Sequence, residues 1–506
     1  MTQTYILAHD LGTTGNKATL LDADRGAPVA SAFVPYETAY PELNWAEQDP
    51  ADWECALYEG TAALLSRAGV APGDVAVVSF SGHMHGALPV DASGRPLRPA
   101  IIWADQRASE EADRVRERCG AERIYRTTGH RVSPVYTAEK LMWIQAHEPE
   151  VFARTAKVLQ SKDFAAHVLS GVFATDYSDA SGTQVFDLAR RRWSTDLLAE
   201  LGLRADLFPD ATPSATVVGQ VTRQAAAATG LLEGTPVVIG GGDGACATVG
   251  AGAVDEGDIY NYIGSSAWVA LASSQPIFDP QQRTNNFIHM DPELVFPIGS
   301  MQAAGGSYTW FEHLLRPAGT EASLYEDLDG AAADAPLGAR GLLFLPHLMG
   351  ERSPYWNPLA RGAFVGLSMA HGRSELARAV LEGVALNLRS ILDALQAQGV
   401  ALETMRLIGG GARSPIWRQI LADVYGLPIV LPELPAEATA LGAAVAGGIG
   451  VGLYAGYQVA KRLVPVTEAE RPREAQVSRY RDVHALFMRT YQALEPLFDE
   501  LAGLGE

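Results

Sequence analysis

A pattern of strand, glycine-and-hydroxyl turn and strand occurs twice in this chain, and it constrains the fold more than any other feature. Tyr5 to Ala8 is a short apolar run leading into Asp10-Leu-Gly-Thr-Thr-Gly15, and Lys17 to Leu21 follows at once. In the second half Ile259 to Ile263 turns at Gly264-Ser-Ser266, and Trp268 to Leu271 returns. Apolar, β-branched runs broken by glycine read as strands joined by tight turns. Each half also has a later strand that ends in three glycines and opens a helix. These are Pro236 to Ile239 before Gly240-Gly-Gly-Asp243, and Met405 to Ile408 before Gly409-Gly-Gly-Ala-Arg413. Helices are predicted over Ala245 to Ala251 and Pro415 to Tyr425, and a buried strand over Val75 to Phe80. The repeat is one of shape rather than of residues, and two related α/β domains facing each other across a cleft would produce it.

Length agrees with two domains. A chain of 506 residues exceeds the roughly 250–300 residues at which single cores stop growing. A boundary near Gly250 to Gly257 separates the halves of the repeat, which places the domains at 1–252 and 253–506. Two helices are read from periodicity. Leu376, Val380, Val384, Leu388, Ile391, Leu392 and Leu395 recur at spacings of three and four. Val483, Leu486, Phe487, Tyr491, Leu494, Phe498 and Leu501 do the same, so both helices are expected to face the core. Pro496 is expected to kink or shorten the second. Val464 to Glu474, with its charges and prolines, reads as a surface loop.

Ala438 to Tyr457 is an uncharged run long enough to raise the membrane question. It is built largely of alanine and glycine, so a tightly packed helix and glycine turn is the reading preferred. The formal net charge of −20 argues against nucleic acid and anionic membranes as partners, because no basic surplus exists to neutralise phosphates. A nucleotide is still admissible, held by metal and backbone N–H groups. Cys55, Cys119 and Cys246 are far apart, so neither a disulfide framework nor a structural zinc site is expected. Met1 to Gly12 lacks a basic start followed by a long apolar run, so no signal peptide is expected, and a reducing cytoplasm is the predicted location. A homodimer is an admissible oligomeric state.

No GxxxxGK[ST] run is present, which disfavours the P-loop class. The glycine turns offer another way to hold phosphate, because backbone N–H groups approach closely where side chains are absent. Thr13 and Thr14 add hydroxyls in the first half, Ser265 and Ser266 in the second. Asp10 and Asp243 stand at strand ends beside glycine-rich bends. Carboxylates there can hold Mg²⁺ through water or take a proton from an attacking hydroxyl, and phosphoryl transfer needs little more. The competing reading of each is a helix or turn cap.

Met84-His85-Gly86 follows Ser81-Gly-His83. His83 and His85, two residues apart, present a metal pair, but no third ligand is evident nearby, and hydroxyl recognition by His85 is preferred. His83 reads equally as a surface-loop histidine. Trp103-Ala-Asp105-Gln-Arg107 brings an aromatic face, a carboxylate and a guanidinium together, a set suited to a sugar or to a solvated ion pair. Cys246 lacks an adjacent base and reads as a small buried residue.

Taken in order, these residues resemble the FGGY carbohydrate kinases, and among them the xylulokinases. Asp10 to Gly15 is similar to the family's first phosphate turn, and Trp45-Ala-Glu-Gln-Asp-Pro50 to its W-x-E-Q-D-P run. Met84-His85-Gly86 and Trp103 to Arg107 resemble M-H-G and W-x-D-x-R, and Lys140-Leu-Met-Trp143 the first signature. Asp176-Tyr-Ser-Asp179-Ala-Ser-Gly-Thr183 has a family counterpart, as do Leu345 to Arg352 and Gly362 to Glu382.

The resemblance implies an actin-like ATPase fold of two ribonuclease-H-like domains around a cleft, with ATP and Mg²⁺. It implies a sugar-binding first domain and a nucleotide-binding second. Asp243 would be the catalytic base and Asp10 the acidic residue near the metal, reaching it through water. Met84, His85, Trp103, Asp105 and Asp243 would contact the sugar. Gly12, Thr13, Thr14, Lys17, Gly264, Ser265, Gly306, Gly410, Gly411 and Ala412 would contact ATP. The implied reaction phosphorylates a ketose, D-xylulose first, with ribulose or a short polyol as alternatives. Three positions depart: His83 replaces the usual Gln before M-H-G, Ser265 a Thr, and Val135 a small or aromatic residue. The His83 change falls in the expected sugar site, so it bears on which sugar is taken. An actin-like filament or chaperone-type ATPase, and a silent sugar sensor, are the readings from other classes.

Overall fold

A computed structural model describes residues 4–317, 323–397, 399–433, 435 and 437–504. The first seven-stranded sheet contains β1 (Tyr5–Leu11), β2 (Gly15–Asp22), β3 (Pro28–Pro35), β4 (Val75–Gly82), β5 (Val217–Gln220) and β6 (Pro236–Val238). Their order is β5-β6-β4-β1-β2-β3, and Gly241–Gly242 continues the pairing beside the end of β4. Pairs β1–β2 and β2–β3 are antiparallel, β1–β4 and β4–β6 parallel, and β5–β6 antiparallel.

The second sheet contains β7 (Ile259–Ile263), β8 (Ala267–Leu271), β9 (Asn285–Ile288), β10 (Val295–Met301), β11 (Met405–Ile408), β12 (Ile429–Pro432) and β13 (Val466–Glu470). From β10 through β8, β7, β11 and β12 to β13 the pairings run antiparallel, antiparallel, parallel, parallel, antiparallel. That is the succession of the first sheet, with β9 added at one edge. The shape repeat in the sequence is therefore a repeat of sheet connectivity, and the architecture is the two-domain α/β arrangement expected.

Six helices matter for the site: α1 (Ser161–Ser170), α2 (Tyr177–Ser181), α3 (Asp243–Gly250), α4 (Arg373–Gln396), α5 (Pro415–Tyr425) and α6 (Ala438–Gly450). Although α6 comes late in the chain, it packs on β1 and β4 of the first sheet and against α3. Its composition explains how. A Cβ at Gly442 would lie 2.0 Å from the Cys246 carbonyl oxygen, and one at Gly250 would lie 1.8 Å from that of Ala438. The two helices approach until their backbones touch, which larger residues would prevent. The uncharged run is thus a packed helix, and no described helix is long and apolar enough to cross a membrane.

Three expectations need correction. Val464 to Glu474 contains the edge strand β13, paired to β12. Its glutamates suit an exposed edge, where charge discourages further pairing, and that masked the strand signal. The last helix, α7 (Glu474–Gly503), runs on through Pro496. On it Phe487, Tyr491 and Phe498 are buried, but Leu486 and Leu501 are half exposed, so that part of the periodic stripe does not face the core. His83 is not on the surface: its ring is buried and sits edge-on to Trp53.

Candidate active site

Two cavities meet between the sheets. One, of about 330 Å³, is walled by Met84, His85, Trp103, Tyr136, Phe287 and Arg352 among others. The other, of about 400 Å³, is walled by Asp10, Gly12, Gly409, Gly410, Arg413 and Thr439 among others. Asp243 lies on the walls of both, as do Tyr262 and Trp268, whose rings stack at 4.0 Å.

Asp243 is the first residue of α3. Its approach is the turn Gly240-Gly-Gly242, where Gly240 has φ +69° and a Cβ would lie 1.8 Å from the Phe80 carbonyl oxygen. Only glycine accepts that conformation and that contact. One Asp243 oxygen accepts from the Gly244 N–H at 2.7 Å. Burial pushes the carboxyl up to about 7, the nearby Asp10 charge pushes the same way, and only the Gly244 hydrogen bond opposes them. A group that titrates near neutrality beside two cavities is suited to proton transfer.

Asp10 closes β1. Ser81 Oγ donates to its Oδ1 at 2.8 Å, and Thr439 Oγ1 to its Oδ2 at 2.6 Å. Those bonds hold the carboxylate from β4 on one side and α6 on the other. One hydrogen bond per oxygen leaves lone pairs free at the cavity wall. The Asp10 carboxylate is a hard-oxygen donor, and no described group of three or more His, Cys, Asp or Glu forms a protein cage. Such a donor fits Mg²⁺, which keeps waters and completes its shell with phosphate oxygens.

On the wall of the first cavity His85 adopts φ +65°, a conformation uncommon outside glycine. The buried Lys140 holds it, donating to the His85 carbonyl oxygen at 2.7 Å and to that of Ile102 at 2.8 Å. Burial pulls this ammonium down to about 7. The His85 ring stacks on Phe287, and its Nε2 has no hydrogen-bond partner among the described residues. Burial, with His130 and Lys140 nearby, holds the ring well below its ordinary value and so neutral. A neutral imidazole edge on the cavity wall can donate to or accept from a hydroxyl. Trp103 also faces this cavity, and its Nε1 donates to Thr13 Oγ1 at 3.0 Å, tying the first turn to the sugar side.

Other predicted residues lie elsewhere. Asp105 is buried behind the wall: its oxygens accept from the Ala46 N–H and from Arg107, whose guanidinium stacks on Trp45. Fully engaged, it braces the cavity instead of reading a sugar, and its partnership with Arg107 is a buried ion pair. His83 is not on the wall and packs against Trp53 behind it. Of the predicted nucleotide set, Gly12 and Gly410 line the second cavity and Thr13 the first. Thr14, Lys17, Gly264, Ser265, Gly306, Gly411 and Ala412 are on neither wall. Lys17 pairs with Glu437 at 2.6 Å, and the Gly306 N–H donates to the Ser265 carbonyl oxygen. Cys246 is buried and donates to the Gly241 carbonyl oxygen, and burial raises its thiol well above the ordinary range.

The site also includes residues that the motifs did not single out. Arg352 and Trp356 line the sugar-side cavity, and the Arg352 guanidinium lies over the Trp103 ring. Tyr262 and Trp268 read as strand core, since an aromatic in a strand carries no mark of facing a cleft. Arg352 closes a recognisable motif, and that was the available signal.

Two cavities that share one carboxylate, set between two sheets of the same connectivity, define an actin-like sugar kinase: an enzyme that uses ATP to phosphorylate a sugar. The chain belongs to the FGGY family of carbohydrate kinases: residues 5–250 match the family's N-terminal domain and residues 259–451 its C-terminal domain. It is 36% identical to a xylulose kinase of Escherichia coli over 96% of this chain and 99% of that one. Among solved structures it resembles a xylulose kinase from Rhodospirillum rubrum, at TM-score 0.89 and 34% identity over 98% of this chain and 100% of that one. A gluconate kinase from Lactobacillus acidophilus superposes at TM-score 0.92 with 27% identity over 99% and 100%.

Proposed function

We propose that this enzyme transfers the γ-phosphoryl group of Mg²⁺-bound ATP to a terminal hydroxyl of D-xylulose, giving D-xylulose 5-phosphate. The observation that carries the reading is the position of Asp243 on the walls of both cavities. The sugar occupies the cavity of His85 and Trp103, and the phosphates enter from the cavity of Gly12 and Gly410. Asp243 takes the proton of the attacking hydroxyl as its oxygen bonds to phosphorus and ADP leaves. Asp10 would hold Mg²⁺ through water. When bound, Mg²⁺ neutralises charge on the phosphoryl oxygens. His85 and Trp103 hold the sugar, and domain closure excludes water that would otherwise hydrolyse ATP. The three cysteines, none of them in a disulfide, support a reducing cytoplasm as the location.

A second reading keeps the reaction and changes the acceptor. The Arg352 guanidinium on the sugar wall has no carboxylate partner among the described residues, which favours an acceptor with an acid group. The gluconate kinase likeness agrees with it. Coupled measurement of ADP release with Mg·ATP and D-xylulose, ribulose, short polyols or gluconate decides between them. Turnover confined to D-xylulose supports the first reading, turnover confined to gluconate the second, and absence of turnover across the panel overturns both.

A further inference from the structure

Behind the sugar-side cavity lies a fully buried charge cluster. Lys162 Nζ is 2.6 Å from Asp163 Oδ1, 3.0 Å from Asp176 Oδ1 and 3.2 Å from Asp179 Oδ2. Burying three carboxylates with one ammonium is costly, so the arrangement calls for a role. Its other contacts supply one. Asp176 caps α2 and accepts from Ser178 Oγ at 2.6 Å and from Ser214 Oγ at 2.6 Å, both on Oδ2. Ser178 Oγ in turn accepts from the Gly242 N–H at 3.0 Å, one residue before Asp243. A carboxylate is acceptor-only, so Asp176 commits the single Ser178 hydrogen to itself and leaves an oxygen lone pair for Gly242.

The same short helix reaches the rest of the site. A Cβ at Gly182 would lie 2.9 Å from the His85 ring, so the chain just beyond α2 abuts the sugar reader. Ser181 Oγ accepts from the Ile288 N–H on β9 in the other sheet at 3.1 Å. The base turn, the sugar reader and the opposite domain therefore all rest on residues 178–182.

We propose that Ser178 is a positioning residue for the reaction: its hydroxyl, oriented by Asp176, holds the Gly242 N–H and so fixes the Asp243 carboxylate against the acceptor hydroxyl. The inference rests on Asp243 acting as the base. Ser178 lines neither cavity, and it acts on the attacking geometry, where a displacement of about 1 Å costs on the order of 10²-fold.

The test compares four variants of the full chain by steady-state kinetics over a range of D-xylulose and Mg·ATP concentrations. Ser178→Ala is expected to lower kcat by about 10- to 100-fold while both KM values stay within about threefold. Ser178→Thr, which keeps the hydroxyl, is expected to recover most of that loss. Ser214→Ala removes an equally short bond to the same Asp176 oxygen but none to Gly242, so its kcat is expected to stay near wild type. Asp243→Ala reports on the base itself. Wild-type kcat in S178A, or a loss in S214A equal to that in S178A, overturns the proposal. Full turnover in D243A would instead remove the base reading on which it rests. If S178A does not fold, Ser178→Cys fills the same space with a weak acceptor and is expected to show the same kcat loss; wild-type kcat there overturns the proposal equally.

Discussion

Replacing Asp243 by Asn tests the catalytic and the electrostatic arguments at once, because they predict opposite consequences for activity and stability. The amide is nearly isosteric and can still accept from the Gly244 N–H, so the turn is retained. It cannot take a proton, and loss of general base catalysis costs about 10²- to 10⁴-fold in kcat, or about 3–5.5 kcal/mol. Stability moves the other way. The carboxyl titrates at about 7 in the folded protein against an ordinary 3.8. Below the ordinary value it is neutral in both states and carries no penalty. Between the two values the unfolded chain ionises first, so stability falls as pH rises, and above pH 7 the penalty is complete. Three pKa units correspond to about 4 kcal/mol, an upper bound because the group borders open cavities; about 1–3 kcal/mol is expected. For a chain of this length that is roughly 1 °C in Tm per kcal/mol. D243N is therefore expected to melt about 1–3 °C above wild type at pH 8 and level with it near pH 4, while turning over at least 100-fold more slowly. Coupled ADP release and scanning calorimetry at both pH values measure these. Wild-type turnover refutes the base role, and a Tm difference that ignores pH refutes the account of the raised carboxyl.

The same titration predicts that wild-type kcat/KM falls about tenfold per pH unit below pH 7, as Asp243 takes up its proton; a flat profile between pH 5.5 and 8 would contradict it. Lys140→Met leaves the His85 and Ile102 carbonyls without their donor, so KM for the sugar is expected to rise at least tenfold with a stability loss of about 1–3 kcal/mol, read by steady-state kinetics and urea unfolding. Gly250→Ala drives a methyl into the Ala438 carbonyl and is expected to destabilise by about 1–3 kcal/mol or more; an unchanged urea midpoint would show that α3 and α6 do not pack as described.

Much of the site was legible where backbone chemistry demands a particular residue. The bend before Asp243 needs glycine, so it announced itself, and the strand-end carboxylates stood beside such bends. Asp105 shows the limit. Its spacing to Arg107 is the same whether the carboxylate faces a sugar or a buried guanidinium, and only the Ala46 N–H and the Trp45 ring nearby decide that it braces the wall. His83 and β13 show it too, because neither a buried imidazole nor a charged edge strand carries a local mark of its environment. Local propensity and glycine placement dictated the paired strand–turn–strand units, the helices that follow them and two domains of one connectivity, since these depend on neighbours along the chain. Which side chains meet at the site depended on the packing of distant segments. Thr439 reaches Asp10, and Ser178 reaches Gly242, because α6 lies on β1 and α2 lies beneath the base turn, and contacts between residues so far apart in the chain arise only when the chain has folded.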